Sequence, residues 1–205
     1  MAKDVLGEEF AGVICRDGWA PYRHFAKATH QTCLAHLLRR SNELIADSKA
    51  GQARIPHALR RLLLDALELR DRRDQGTVAG KRLRAEIKAL EDRADKLLEA
   101  KCTHEPNRRL LAHLKNERQA LFTFLTHPGV PATNHEAERA IRPQVVTRKS
   151  WGGNKSLEGA RAAAILGSVL RTSTQQKANP IDVLVGIATS DGRTHGLDVE
   201  AGPAP

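Results

Sequence analysis

From residue 31 to residue 125, apolar side chains recur at intervals of three and four, the spacing of helices that bury one face. Glycines and a proline-rich break at 128–131 divide this pattern into predicted helices over about 31–50, 56–75, 81–100 and 106–125. The third helix alternates steps of four and three, which predicts the packing seam of a helical hairpin, formed by Leu83, Ile87, Leu90, Ala94 and Leu97. We therefore expect residues 31–130 to form a helical region of their own.

A different pattern lies near the N-terminus, where the short apolar run Gly12-Val13-Ile14-Cys15 precedes Asp17 and Gly18. Its β-branched residues and the Asp-Gly pair predict a buried strand within 11–16 that ends in a turn. One strand cannot bury itself, and no other segment has a clear strand pattern. The chain is therefore expected to be mainly α, with one or a few strands in residues 1–30.

Residues 131–189 again have a helical pattern, with predicted helices over about 134–142, 156–176 and 180–189. Pro143 is expected to stop the first of these, and residues 144–146 to be extended. Ser156 and Asn179 are the expected cap residues of the other two. Residues 190–205 are rich in Gly, Pro, Asp and Thr and are expected to be a disordered tail.

Lysine and arginine total 33 against 24 acidic residues, which gives a formal net charge of +9. This excess favours a polyanionic partner such as nucleic acid, although a soluble helical protein with an arginine-rich surface has the same composition. Aromatic residues make up only 3% of the chain, which argues against base stacking and favours phosphate contacts. No apolar run reaches the roughly 20 residues of a membrane span. Three cysteines cannot all pair, which favours a reducing cytoplasm.

Two carboxylates are candidates for chemistry. Asp17 follows the predicted strand, and ligands of open α/β sheets bind beyond the carboxyl ends of strands, although an ordinary turn is the alternative. Glu138 shares one helix face with Asn134 and Arg142, and a surface ion pair with Arg142 is its alternative. The neighbouring cations predict contacts to a nucleic-acid backbone, made by Arg139, Arg142, Arg148, Lys149 and Lys155.

Cys33 and His36 form a Cys-x2-His pair at the start of a predicted helix, and Cys102 and His104 lie at the end of another. The four side chains together match the ligand types of a zinc site. The second pair, however, has only one residue between its members, which is unusual spacing for zinc. We therefore expect structural roles for Cys33 and His36, as cap or core residues.

In order along the chain, these motifs resemble the C-terminal part of the insertion-sequence-66 family of transposases. The resemblance covers about residues 8–187 and rests on Asp17-Gly18-Trp19-Ala20-Pro21-Tyr22, Cys33-Leu34-Ala35-His36-Leu37-Leu38-Arg39-Arg40, Asn134-His135-Glu136-Ala137-Glu138-Arg139-Ala140-Ile141-Arg142-Pro143, Arg148-Lys149-Ser150-Trp151 and Asn179-Pro180. It implies the remnant of an RNase H-like α/β core of the Asp-Asp-Glu type, formed by residues 1–30 and 131–189 and interrupted by a large helical insertion at 31–130.

The resemblance also implies roles for individual residues. Asp17 would be the second catalytic aspartate and Glu138, rather than Glu136, the catalytic glutamate, both as ligands of Mg²⁺ or Mn²⁺. Cys33 and His36 match a Cys-x2-His pair that follows the second aspartate in several such transposases. The implied activity is metal-dependent DNA cleavage and strand transfer. The implied partners are transposon ends and target DNA, together with a second copy or an intact transposase, in the bacterial cytoplasm at the nucleoid.

Two departures from the family pattern modify this expectation. Residues 132–135 read Ala-Thr-Asn-His where the family has Asp-Asn-Asn before its helix. The first catalytic aspartate would lie before Met1, so the chain is expected to be a truncated fragment, with weak metal binding at most and inactive alone. The alternative is a basic helical module without enzymatic activity that binds DNA or a partner chain.

Overall fold

The structure, a computed structural model, describes residues 6–49 and 51–189. The chain divides into two compact units, Met1–Glu136 and Ala137–Pro205. Within the described residues, no helix combines the length and the apolar character needed to cross a membrane. The predicted tail at 190–205 lies outside the described residues.

The first unit contains a sheet of two parallel strands, β1 at Val13–Arg16 and β2 at Thr29–Thr32. Val13 pairs with Thr29 and Arg16 with Thr32, and the connection between the strands includes a 3-10 helix at Ala20–His24. A small cluster of Ile14, Phe25 and Ala28 is buried beside the sheet. The prediction of a mainly α chain with a small sheet remnant is confirmed.

Strand β2 is the partner that the predicted strand requires, and it forms in a segment without a clear strand pattern. Its residues, Thr-His-Gln-Thr, lack the apolar alternation of an ordinary strand because their polar groups bond to the end of the helical region. Gln31 Oε1 accepts a hydrogen bond from the Phe124 amide at 2.8 Å. The Thr123 hydroxyl donates to the His30 carbonyl at 2.6 Å. The cost of burying the polar groups of β2 is therefore offset by hydrogen bonds to residues about 90 positions away in the sequence.

The helices predicted for residues 31–125 are present, with shifted ends. They are α1 at Leu34–Ala46, α2 at Arg54–Asp74, α3 at Gly80–Leu98 and α4 at Glu105–Glu117. The last predicted helix ends early and is followed by a 3-10 turn at Arg118–Ala120 and by α5 at Thr123–Thr126. Their leucine faces form one buried core, in which the predicted hairpin seam contributes Ile87, Leu90 and Ala94. This core makes the helical region the main packed body of the first unit.

The remaining helices are α6 at His135–Trp151, which continues from the first unit into the second, α7 at Leu157–Gln175 and α8 at Pro180–Thr189. Pro143 lies inside α6, so the predictions of a stop at Pro143 and of an extended segment at 144–146 are wrong. A proline inside a helix removes one backbone hydrogen bond and strains the preceding turn, which a helix survives when its other bonds remain.

The predicted caps of α7 and α8 are confirmed. The Ser156 hydroxyl accepts a hydrogen bond from the Gly159 amide at 3.0 Å, and Asn179 Oδ1 accepts one from the Ile181 amide at 3.1 Å. Gly167 on α7 faces Gln144 of α6, since a Cβ at this position would lie 2.5 Å from Gln144 Nε2. The small residue thus permits close packing of α6 and α7.

Candidate active site

Asp17 directly follows β1, at the carboxyl end of the strand, and its side chain is exposed. Asp17 Oδ1 accepts a hydrogen bond from the Trp19 amide at 3.0 Å, which makes a local turn. Gly18, the next residue, has a φ of +91°. We call the segment Asp17–Trp19 the Asp17 loop. Its carboxylate, on Asp17, faces solvent, and the next residue has a backbone conformation that favours glycine.

Beneath this loop lies Glu117, the last residue of α4, which is fully buried. Its carboxylate accepts a hydrogen bond from the Thr32 hydroxyl at 2.6 Å and forms ion pairs with Arg16 at 2.6 Å and Arg23 at 2.9 Å. Burial by itself raises the pKa of Glu117, but the bonds from Thr32, Arg16 and Arg23 outweigh it and hold the pKa below its usual range. Glu117 is therefore a buried carboxylate that stays ionised at neutral pH.

His113, one turn before Glu117 on α4, packs against the same loop. A Cβ added to Gly18 would lie 2.7 Å from His113 Cε1 and 3.7 Å from Glu117 Oε1. Burial lowers the pKa of His113, and the positive charges of Arg40, Arg23 and Arg16 act in the same direction against the attraction of Glu117. The lowered pKa favours the neutral imidazole at pH 7. Position 18 requires glycine, because a Cβ there would have to displace the His113 ring.

The helical region begins and ends beside β1. The Cys33 amide donates to the Arg16 carbonyl at 2.7 Å, and the Leu34 amide donates to the Ala132 carbonyl at 2.9 Å. Cys33 Sγ accepts a hydrogen bond from the Asn134 amide at 3.3 Å. The point where the chain leaves for α1 and the point where it returns before α6 are thus directly bonded to each other.

Cys33 occupies the residue before α1 without capping it through its side chain, and it is 1% exposed. His36 lies about one turn along α1 and is half-buried. Cys15, on β1, has its pKa raised to about 12 by burial and by the neighbouring Cys33. The bond to Asn134 favours the structural role expected for Cys33, while the absence of zinc stays a prediction.

Glu138 lies on α6 and is half-buried, one turn from the start of the helix. The cations predicted to contact DNA all have exposed side chains, four on α6 and one in the turn that follows it: Arg139, Arg142, Arg148, Lys149 and Lys155. Asp17 belongs to the first unit and Glu138 to the second. Their approach to each other stays a prediction.

The family model described as "Transposase IS66 family" matches residues 1–162, well over half of the chain. This chain belongs to the IS66 transposase family. A curated relative, the uncharacterized protein y4qI of Sinorhizobium fredii (strain NBRC 101917 / NGR234), is 26% identical over 198 residues, which cover 90% of this chain and 36% of the relative. The chain therefore spans about a third of the length of that relative. No solved structure matches it.

The resemblance to the IS66 family implied Mg²⁺ or Mn²⁺ at Asp17 and Glu138. Across residues 6–49 and 51–189, no group of three or more His, Cys, Asp or Glu side chains is arranged to hold a metal ion. Asp17 offers a single exposed carboxylate, and one of its oxygens already accepts the Trp19 bond. The described side chains of this IS66-family chain do not form a complete divalent-metal site by themselves.

Sequence reasoning found Asp17 but missed the residues that surround it, which are Arg16, Arg23, His113 and Glu117. Arg16 carries a weak signal, because a buried arginine at the end of a strand requires an anionic partner. Glu117 carries none, since it looks like any polar residue near the end of an amphipathic helix. Only the fold brings these residues together in the IS66-family chain.

Proposed function

We propose that this chain is part of the catalytic core of an IS66-family transposase, which cleaves and joins DNA strands in a metal-dependent reaction. Asp17 and Glu138 are two of the carboxylates of that core. Arg139, Arg142, Arg148, Lys149 and Lys155 hold the phosphate backbone near them. The family supports a role in transposition, and the assignment of these residues is the proposal.

The observation that carries the proposal is the return of the chain beside β1. Asp17 follows β1, and the Asn134 amide bonds to Cys33 Sγ immediately before α6, the helix of Glu138. A long insertion that leaves and returns at one place preserves the core that it interrupts. This supports two carboxylates, far apart in sequence, acting on one phosphodiester.

The isolated chain is expected not to cleave DNA. A two-metal centre needs several ligands around ions about 3.5–4 Å apart, and no cluster of three or more suitable side chains is found within the described residues. A catalytic unit that lacks one of its metal ligands loses most of its rate enhancement. Cleavage of transposon-end DNA in Mg²⁺ or Mn²⁺ that survives Glu138→Ala would place any chemistry elsewhere.

The proposal predicts that residues 17 and 138 lie close together in solution. Asp17→Cys and Glu138→Cys are introduced with Cys102→Ser, and nitroxide labels report the distance by pulsed electron paramagnetic resonance. Native Cys33 is buried and the Cys15 thiol has a pKa of about 12, so both react slowly at pH 7. A narrow distribution at short distance between the two labels is expected in the folded chain, and a broad distribution in urea. A long distance in the folded chain contradicts the shared site.

DNA binding without catalysis is the second candidate function, favoured by the exposed cations of α6. Duplex DNA is expected to bind without sequence preference and to dissociate as salt rises. The double substitution Arg142→Gln and Lys149→Gln should make the negative slope of log K against log salt less steep by about 1.8, if each residue contacts one phosphate.

The matched control for this titration is Arg82→Gln with Arg93→Gln. It removes the same charge from arginines already paired with Glu86 and Asp65 in the α2–α3 hairpin. Its salt slope should stay at the wild-type value. An equal change in both double variants would show a response to net charge alone, and salt-independent binding would contradict the phosphate-contact model.

A further inference from the structure

The buried carboxylate of Glu117 joins the helical region to the segment that carries Asp17. Its three bonding partners, Arg16, Arg23 and Thr32, all lie in residues 16–32. Arg16 directly precedes Asp17, and Arg23 follows it after the first residues of the 3-10 helix. One carboxylate of α4 therefore binds both ends of the exposed segment that contains the Asp17 loop.

We propose that Glu117, with Arg16 and Arg23, positions the Asp17 loop, so that the helical insertion itself sets the location of the catalytic carboxylate. The catalytic part of this statement rests on the proposed function of Asp17. The insertion is then a working part of the active site, which it reaches through the end of α4. A catalytic group must be held by neighbours whose own geometry is fixed, and Glu117 supplies that neighbour.

The charges in this network are better explained by geometry than by stability. A fully buried ion pair loses the hydration of both ions, and apolar residues of similar volume often stabilise a protein equally well. Charged contacts of this kind are directional, however, and the two arginines hold different oxygens of one carboxylate, Arg16 at Oε2 and Arg23 at Oε1, which fixes the orientation of Glu117. Arg23 is 40% exposed, so its pair with Glu117 acts at the surface end of the network, next to the loop.

A second contact supports the same assignment. His113, also on α4, lies directly against Gly18, with no room for a Cβ between them. The Asp17 loop is thus held from below by His113 and at both ends by Glu117. On its open side Trp19 is 58% exposed and contacts Tyr22 edge to face, with ring centroids 5.4 Å apart.

Trp19 provides the probe, because the chain has only two tryptophans. In a Trp151→Phe background, the fluorescence anisotropy of Trp19 and its quenching by acrylamide report the order of the loop. Three variants are compared in this background: Glu117→Gln, Arg23→Gln and the control Glu86→Gln. Glu86 is matched because it also binds two arginines, Arg72 and Arg82, but within the α2–α3 hairpin.

Glu117→Gln is expected to lower the anisotropy of Trp19 and to speed its quenching by about twofold, because local order is lost without global unfolding. Arg23→Gln should have the same effect to a smaller extent, and Arg23→Lys should restore part of the order. Glu86→Gln should leave Trp19 unchanged. Far-ultraviolet circular dichroism measures the remaining helix in each variant.

If Glu117→Gln unfolds, the half-exposed Arg23 variants decide the matter. An unchanged Trp19 signal in folded Arg23→Gln overturns the proposal, and so does a change that only follows the loss of helix. The two proposals also fail separately. A looser loop in the variants combined with a long distance between residues 17 and 138 would keep the positioning role of Glu117 and reject the catalytic role of Asp17.

Discussion

Glu117→Ala is expected to destabilise the chain by about 3–5 kcal/mol, the usual cost of removing one partner from a buried ion pair. The substitution leaves Arg16, which is 4% exposed, without its counter-ion and the Thr32 hydroxyl without its acceptor. Urea unfolding followed by circular dichroism measures the change. Glu86→Ala should cost much less, because the arginines that it leaves behind are accessible to water.

The Glu117 carboxylate should also make stability depend on pH in a defined direction. Its pKa is lowered in the folded chain, so its contribution is present above the ordinary glutamate pKa of about 4.3 and is lost as pH falls through the lower folded value. Glu117→Gln, which cannot ionise, should show a flatter stability profile in this acidic range. Parallel profiles for the two proteins would show that the carboxylate is not held in its ionised form by its neighbours.

Gly18→Ala is the second substitution with a large expected effect. The φ of +91° is costly for any side chain, at about 1–3 kcal/mol. The new Cβ would also lie 2.7 Å from His113 Cε1, and such overpacking adds about 1–3 kcal/mol more. Urea unfolding should therefore show a loss of at least about 2 kcal/mol from the two causes together.

Two further variants separate these causes. Gly129 has a φ of +84°, and no atom lies within 4 Å of the place that a Cβ would occupy there, so Gly129→Ala reports backbone strain alone. Replacing His113 by alanine in the Gly18→Ala background should recover the part due to the contact, as a double-mutant cycle measures. Equal losses for Gly18→Ala and Gly129→Ala would show that His113 does not press against the loop.

The functional consequences differ from those for stability. A Gly18→Ala chain that folds would still carry Asp17, but its loop would be displaced from His113. If the proposal for Glu117 is right, Gly18→Ala and Glu117→Ala both disturb the Asp17 loop, the first at the contact with His113 and the second at the bonds to Arg16 and Arg23. The order of Trp19 should therefore fall in both, whereas Gly129→Ala should leave it unchanged.

The sequence by itself determined the helices and the position of Asp17. A period of three to four apolar residues is a local property, and it located α1–α4 to within a few residues, except at the end of α4. The strand-and-turn pattern around Asp17 is equally local. The cap residues Ser156 and Asn179 were predicted for the same reason, since each bonds to an amide only two or three residues away.

The tertiary structure decided what local patterns do not contain. Strand β2 is polar because the Gln31 side chain bonds to the Phe124 amide and the Thr32 hydroxyl bonds to Glu117, partners 93 and 85 residues away. Pro143 was predicted to end a helix, but the local penalty of proline does not exceed the remaining bonds of α6. In each case the outcome depends on the sum of bonds around a residue, which its immediate neighbours in sequence do not reveal.

The candidate site shows the same division. The sequence predicted Asp17 and Glu138 as candidates from their surroundings and from a resemblance, but it did not indicate which of its 24 acidic residues would meet Arg16 and Arg23. Only the packing of α4 against the sheet selects Glu117, because burial of one carboxylate beside two arginines is a long-range event. Local spacing and the resemblance thus selected Asp17 and Glu138 as candidates, and folding determined that Glu117 lies beside the Asp17 loop.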